Sequence, residues 1–320
     1  MRLNADGSID NSFASSFVTQ SHLFSDVTDV QVSSDGKIYA AYYSFNGAGV
    51  SSSVLRFNAT GGADPAWDIP LMIPPSSVPM SINGLTVAAD GSVVVAGHFS
   101  SVNGVPASGV VRLLSGGNVD LTFSSTLSYA GSVRSLQDGK YLVSGTLTGS
   151  NYPQKIFRLN ADGSADGTYS PAGSIHHLSL GHISIGQSDQ SLFFAEQTSP
   201  VPYQITKFFR LNANGSEDAT FAPNIGNYGT VHTIANASNG KLVVGGEFNS
   251  INGIAGRTVA RINSNGSVDT TFNAGIGFSR VPSQVVVQSH DKVIAVGNFG
   301  KYWRHDRTAL DSTLERRWFI

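Results

Sequence analysis

The chain contains no cysteine, so it has no disulfide framework, no thiolate metal site and no cysteine nucleophile. Charge is scarce too: 13% of the 320 residues are Asp, Glu, Lys or Arg, and the formal net charge is -2. A chain so close to neutral lacks the basic footprint that nucleic acid or an anionic membrane surface would demand. No apolar run approaches the roughly 18 residues of a membrane span. Three short catalytic signatures are also missing: the Gly-x-Ser-x-Gly elbow, His-Glu-x-x-His and a phosphate-binding glycine loop. Met1 is followed at once by Arg2-Leu3-Asn4, with no basic n-region and no apolar h-region. The chain therefore reads as lacking a signal peptide, and as a piece of a longer parent because it opens inside a repeat.

What the sequence has instead is glycine, 35 residues of it, and that repeat. Arg-Leu-Asn-Ala-Asp-Gly-Ser-Ile-Asp-Asn-Ser-Phe, Arg2 to Phe13, returns in edited form at Arg56, Arg112, Arg158, Arg210 and Arg261. In every copy an Asp follows the Arg by eight residues: Asp10, Asp64, Asp120, Asp166, Asp218 and Asp269. Three residues later comes an aromatic: Phe13, Trp67, Phe123, Tyr169, Phe221 and Phe272. Asp-Gly or Asn-Gly at the centre supplies the positive φ of a tight hairpin turn. A three-residue loop then sets Arg opposite Asp across the hairpin, a cross-strand pairing worth about 0.2–1 kcal/mol. The Arg and Asp are accordingly read as a structural clasp. The aromatic seals the space against the next repeat, since one unit cannot bury its apolar face alone.

A period of roughly 46 to 56 residues is that of a propeller array. Within each period a first strand (Val27–Val32), a turn (Asp35-Gly36) and a second strand (Lys37–Tyr43) recur. Second strands such as Ser92–Phe99 and Lys241–Phe248 are nearly continuous apolar runs, as expected of strands covered on both faces. The Arg-Leu-Asn stretch makes a third strand and the Gly-Ser-x-Asp stretch a fourth. The sequence thus predicts an all-β fold, a six-bladed β-propeller of four-stranded antiparallel blades. A single domain covers residues 1–310, with blades near 24–67, 81–123, 130–169, 177–221, 230–272, and 282–310 plus 2–13. The N-terminal hairpin joins the last blade and closes the ring, which removes exposed sheet edges. Residues 311–320 break the pattern and are read as a non-repeat tail.

These elements together resemble the delta-60 repeat family, on the residues Arg2–Phe13, Asp35–Ile38, Gly245–Gly253 and Arg261–Phe272. The third unit departs from the pattern by lacking the Asn-Gly loop, and the fourth lacks both that loop and the Asp-Gly turn. The resemblance implies a bacterial secreted or surface protein built of propeller-like repeats, and brings no catalytic residues with it.

Ligands of propellers bind at the channel or the rim loops. Counting back from the turns places Asp29, Asn83, Arg134, His182, His232 and Gln284 on first strands at the channel mouth, with His177 nearby. Two imidazoles and a carboxylate, His182, His232 and Asp29, are candidate metal ligands, zinc being the natural ion. The repeated Asn-x-Asp-Gly-Ser-x-Asp is similar to part of a calcium loop but has Phe13 where the distal Glu would stand. Trp67, Tyr152, Tyr203 and Tyr228 are candidate rim-binding residues. Two functions follow. One is a binding or structural module that recognises glycan or protein. The other is a metal-dependent hydrolase of esterase, lactonase or phosphotriesterase type, acting on a small-molecule ester. A monomer without nucleic-acid partners is expected in either case.

Overall fold

The structure is a computed structural model, and it describes residues 12, 24–45, 50–72, 82–149, 155–170, 184–185, 192–198, 205–225, 229–248, 250–255, 258–272, 281–282, 284–287 and 291–296. The hairpin at 2–13 that would close a ring, the tail 311–320, and the site candidates His177, His182, Tyr152, Tyr203 and Tyr228 lie outside the described residues. So do Arg2 and Asp10. The chain divides into two compact units, Met1–Gly167 and Thr168–Ile320. Both are built of antiparallel β-sheet, and a three-residue 3-10 turn lies at Ser238–Gly240.

The first unit runs β1 (Phe24–Val32), β2 (Ile38–Phe45), β3 (Val50–Phe57), β4 (Ala63–Met72), β5 (Ile82–Val87), β6 (Val93–Gly97), β7 (Ser101–Val102), β8 (Val105–Pro106), β9 (Val110–Leu113), β10 (Leu127–Ser135), β11 (Tyr141–Leu147) and β12 (Lys155–Leu159). They form three sheets, ordered β1-β2-β3-β4-β7-β8, β5-β6-β9 and β10-β11-β12. β5 packs beside both β1 and β10. The second unit has β13 (Ser184–Ile185), β14 (Leu192–Thr198), β15 (Ile205–Leu211), β16 (Thr230–Asn236), β17 (Leu242–Glu247), β18 (Ser250–Ile251), β19 (Ile254–Ala255), β20 (Val259–Ile262), β21 (Gln284–Val287) and β22 (Val293–Val296). Its sheets are β13-β14-β15, β16-β17-β20, β18-β19 and β21-β22.

The unbroken apolar second strands have a direct cause. Successive side chains of a strand point to opposite faces, and β6 serves two cores at once. Val93 and Val95 join a cluster with Tyr39, Val54 and Trp67 of the first sheet. Val94 and Ala96 join another with Val133, Tyr141 and Val143 of the third. All four β6 side chains are fully buried, and each buried valine contributes about 1.5–3 kcal/mol. β17 does the same in the second unit: Leu242 and Val244 face one cluster, Val243 the other.

The fourth strand is shorter than the spacing implies. In four repeats it is a single antiparallel bridge: Leu113 with Val119, Leu159 with Ala165, Leu211 with Glu217, and Ile262 with Val268. The chain then turns on itself, as the Phe123 amide donates to Asp120 O, so no longer ladder forms. Only β4 of the first sheet, ten residues long, is a full strand among the described repeats. It also carries the next sheet's arm, because Leu71 and Met72 pair with Val102 and Ser101 of β7. That arm, β7-β8, turns at Asn103-Gly104 with φ of 48° and 78°; Asn252-Gly253 turns β18-β19 in the same way, at 51° and 74°. Two positive φ values in succession are what a two-residue hairpin requires.

Candidate functional site

The repeat hairpin carries a dense set of polar contacts among the described residues. Its loop, Asn160 to Ser164, closes with the Asn160 amide donating to Ser164 O at 2.8 Å and the Gly163 amide to Asn160 O at 2.9 Å. Gly163 holds φ at +85°, and a Cβ there would lie 2.9 Å from both the amide nitrogen and the carbonyl oxygen of Ser124. One glycine therefore makes both the turn and the close approach of the preceding sheet's end. Asp162 Oδ1 accepts from the Ser164 amide and hydroxyl, and Asn214 and Asn265 hold Ser216 and Ser267 likewise.

Across this hairpin each described repeat Arg gives its Nε to the Asp eight residues on. The distances are 3.0 Å for Arg56–Asp64, 2.7 Å for Arg112–Asp120, 2.6 Å for Arg158–Asp166, 2.8 Å for Arg210–Asp218 and 2.7 Å for Arg261–Asp269. The guanidinium also lies over the repeat's aromatic, 4.7 Å from the Trp67 ring centre and 5.3, 5.0 and 5.0 Å from those of Phe123, Phe221 and Phe272. The second carboxylate oxygen is not idle. Asp120, Asp218 and Asp269 each accept from the amide and hydroxyl of a Thr two residues later. That hydroxyl is half of the clasp and was overlooked in the sequence, although a Thr follows the Asp by two residues in four of the six copies. The Thr122 hydroxyl, with Arg112 behind it, holds the Asp120 carboxyl below the usual carboxylate range; Thr220 and Arg210 do so for Asp218. Asp269 is held lower still by Lys241, Thr271 and Arg261.

The clasp also reaches forward. Arg56 Nη1 donates to Ser115 O in the next sheet's hairpin at 2.7 Å, and Arg112 Nη1 donates to the matching Ala161 O at 2.5 Å. The Ser124 amide donates to Asp162 O and, in the second unit, the Ser170 amide to Asn214 O. Trp67 belongs to this joint. Its side chain is fully buried, edge-on to Tyr39 at 5.1 Å, with Nε1 donating to Ser115 O. The rim role expected for Trp67 is thereby corrected: the ring presents no surface to a ligand, because the repeat position it fills is the seal between sheets.

The inner strands place the channel-mouth candidates differently from a simple count. β1, β5, β10 and β16 each carry a register shift at the same point, leaving Thr28, Asn83, Gly131 and His232 as bulge residues. Asp29 is therefore matched by Gly84, Ser132, Thr233 and Gln284, and not by Asn83, Arg134 or His232. This position joins sheets: Asp29 Oδ2 accepts from the Leu85 amide at 2.9 Å, and Thr233 Oγ1 from the Val285 amide at 3.0 Å. Asn83 Nδ2 donates to Ala130 O of the next sheet. His232 and Gln284 are exposed. Of the proposed metal ligands, Asp29 has its carboxylate on the Leu85, Val30 and Gln31 nitrogens. Among the described residues no three His, Cys, Asp or Glu side chains come together in a way that could hold a metal ion.

Four stretches of the chain, 1–13, 88–123, 136–169 and 237–272, match the model of a family described as a domain of unknown function, the DUF5122 beta-propeller. These stretches are similar to the repeats of that β-propeller family. Each matched stretch ends on a clasp aromatic: Phe13, Phe123, Tyr169 or Phe272. No curated protein matches the sequence. Among solved structures, the extracellular domain assigned to a one-component system of B. thetaiotaomicron is similar at 12% identity and a TM-score of 0.49, over 86% of this chain and 38% of that one. A puromycin hydrolase aligns at 13% identity and a TM-score of 0.40, over 70% of this chain and 34% of that one. An alpha-L-arabinofuranosidase from Clostridium thermocellum aligns at 18% identity and a TM-score of 0.32, over 59% and 70%. The chain thus spans well under half the length of the first two. No helix among the described residues is long and apolar enough to cross a membrane.

Proposed function

We propose that this chain is a binding or structural module of a bacterial secreted or cell-surface protein, recognising a glycan or a protein through its rim loops or inner-strand ends. In this reading the repeats form a six-bladed β-propeller of the delta-60 type, with the hairpin 2–13 completing the last blade. The observation that carries it is how the repeat charges are used. Each described clasp Arg and Asp holds a hairpin closed, and Asp120, Asp218 and Asp269 are kept ionised by their partners. A carboxylate so held is a poor general acid or base near neutral pH. Contact with a ligand is assigned in this reading to uncharged polar residues and to Tyr152, Tyr203 and Tyr228.

The test is a glycan array and a surface-protein pull-down with the intact chain, each repeated with Tyr203→Ala and Tyr228→Ala. Specific binding that weakens in either variant supports the module. Chelator-sensitive turnover of an ester, lactone or phosphotriester would overturn it in favour of a metal-dependent hydrolase using His182, His232 and Asp29.

A further inference from the structure

Six arginines lie among the described residues, and five give Nε to a repeat Asp. The sixth is Arg134, on β10. It donates Nη1 to Val133 O at 2.9 Å, and the same nitrogen lies 3.8 Å from Asp29 Oδ2, beyond hydrogen-bond reach. Its Nε–Nη2 edge has no partner among the described residues, and its side chain is 30% exposed. That edge is the fork which takes a carboxylate in two parallel hydrogen bonds.

The surroundings suit a hydroxylated acid. Arg134 shares its register position with Gln31 of β1 and Thr86 of β5; Thr86 is buried with its hydroxyl on Ser135, which leaves Gln31 as the polar neighbour in that row. Gly84, between them, leaves Asp29 and Val133 separated only by a space that a Cβ would fill in ordinary contact, at 3.6 and 3.7 Å. Asp29 is occupied by the Leu85, Val30 and Gln31 nitrogens, so it steers the guanidinium without closing its fork.

We infer that Arg134 is the receptor for a carboxylate on an acidic glycan, a uronic acid residue being the simplest form, with the side-chain oxygen of Gln31 beside it for a sugar hydroxyl. This rests on the binding-module reading and adds the ligand's charge and the residue that reads it. The test is titration calorimetry of the intact chain with trigalacturonate and with a neutral trisaccharide of the same length. Wild type should prefer the acid. Arg134→Gln should lose about tenfold or more of that affinity, with binding of the neutral sugar unchanged. Arg134→Lys should fail to restore it, because a point charge lacks the fork, and circular dichroism should show both variants folded. Equal binding of the two trisaccharides, undiminished acid binding by Arg134→Gln, or equal competition by inorganic phosphate would each overturn the inference. If neither trisaccharide binds but another glycan or a protein does, the acid receptor falls and the module stands. If nothing binds, both fall.

Discussion

Removing the charge of Arg112 tests the clasp where it is described most completely. Arg112→Met keeps a stem over Phe123 but strips three interactions: the pair with Asp120, the cation over the ring, and the bond to Ala161 O. Breaking a buried pair from one side costs about 3–5 kcal/mol. Two features reduce that here. The Arg112 side chain is 16% exposed, and Asp120 keeps its bonds from the Thr122 amide and hydroxyl. About 1–2 kcal/mol for the pair, about 0.5–1 for the ring and about 1 for the hydrogen bond give about 2.5–4 kcal/mol in total. Asp120→Asn, which can retain the Thr122 acceptor, should cost about 1–2 kcal/mol. The double variant should cost less than the sum, with a coupling of about 1–2 kcal/mol. Urea unfolding followed by circular dichroism and by fluorescence measures all of this, provided the two probes coincide. A cost below about 0.5 kcal/mol for Arg112→Met, or strict additivity, would show the clasp to be a surface ion pair of no consequence.

Four further outcomes follow from the same geometry. Trp67→Ala should destabilise by about 3–5 kcal/mol in urea, where a rim residue would cost almost nothing. Gly163→Ala should cost at least about 1–2 kcal/mol for the positive φ alone, more with the Ser124 contact, and a neutral result would contradict the turn. Thr233→Val leaves the Val285 amide without its acceptor and should cost about 1–3 kcal/mol, read as a lower urea midpoint. The carboxyls of Asp120, Asp218 and Asp269 are held below their unfolded value of about 3.9. Their contribution is therefore complete above that pH and lost as the pH falls below about 4. Thermal unfolding between pH 7 and pH 2.5 should show that decline, and Asp269→Asn should flatten part of it.

The hairpin was legible because its chemistry is local. Arg, turn glycine, Asp and aromatic stand at fixed offsets, and a short loop leaves them one geometry. The doubly buried β6 was legible from its valines for the same reason. The inner-strand row was not. Each bulge adds one residue to one strand, and nothing in Thr28, Asn83, Gly131 or His232 announces it, so counting from the turn misaligns every position before it. Trp67 was misplaced by type: a tryptophan suggests a binding surface, whereas its offset from Asp64 equals that of Phe123 from Asp120. Position in the repeat, not residue identity, decides its burial.

The forward reach of Arg56 to Ser115 and of Arg112 to Ala161 has a consequence for how such chains lengthen. Each stitch is sewn between one loop and its successor and asks only for a backbone oxygen, which any sequence supplies. A gene segment copied from loop to loop hands every donor a fresh oxygen of the same kind. Duplication then costs no matched side chain, and drift among the copies can proceed while the seam holds.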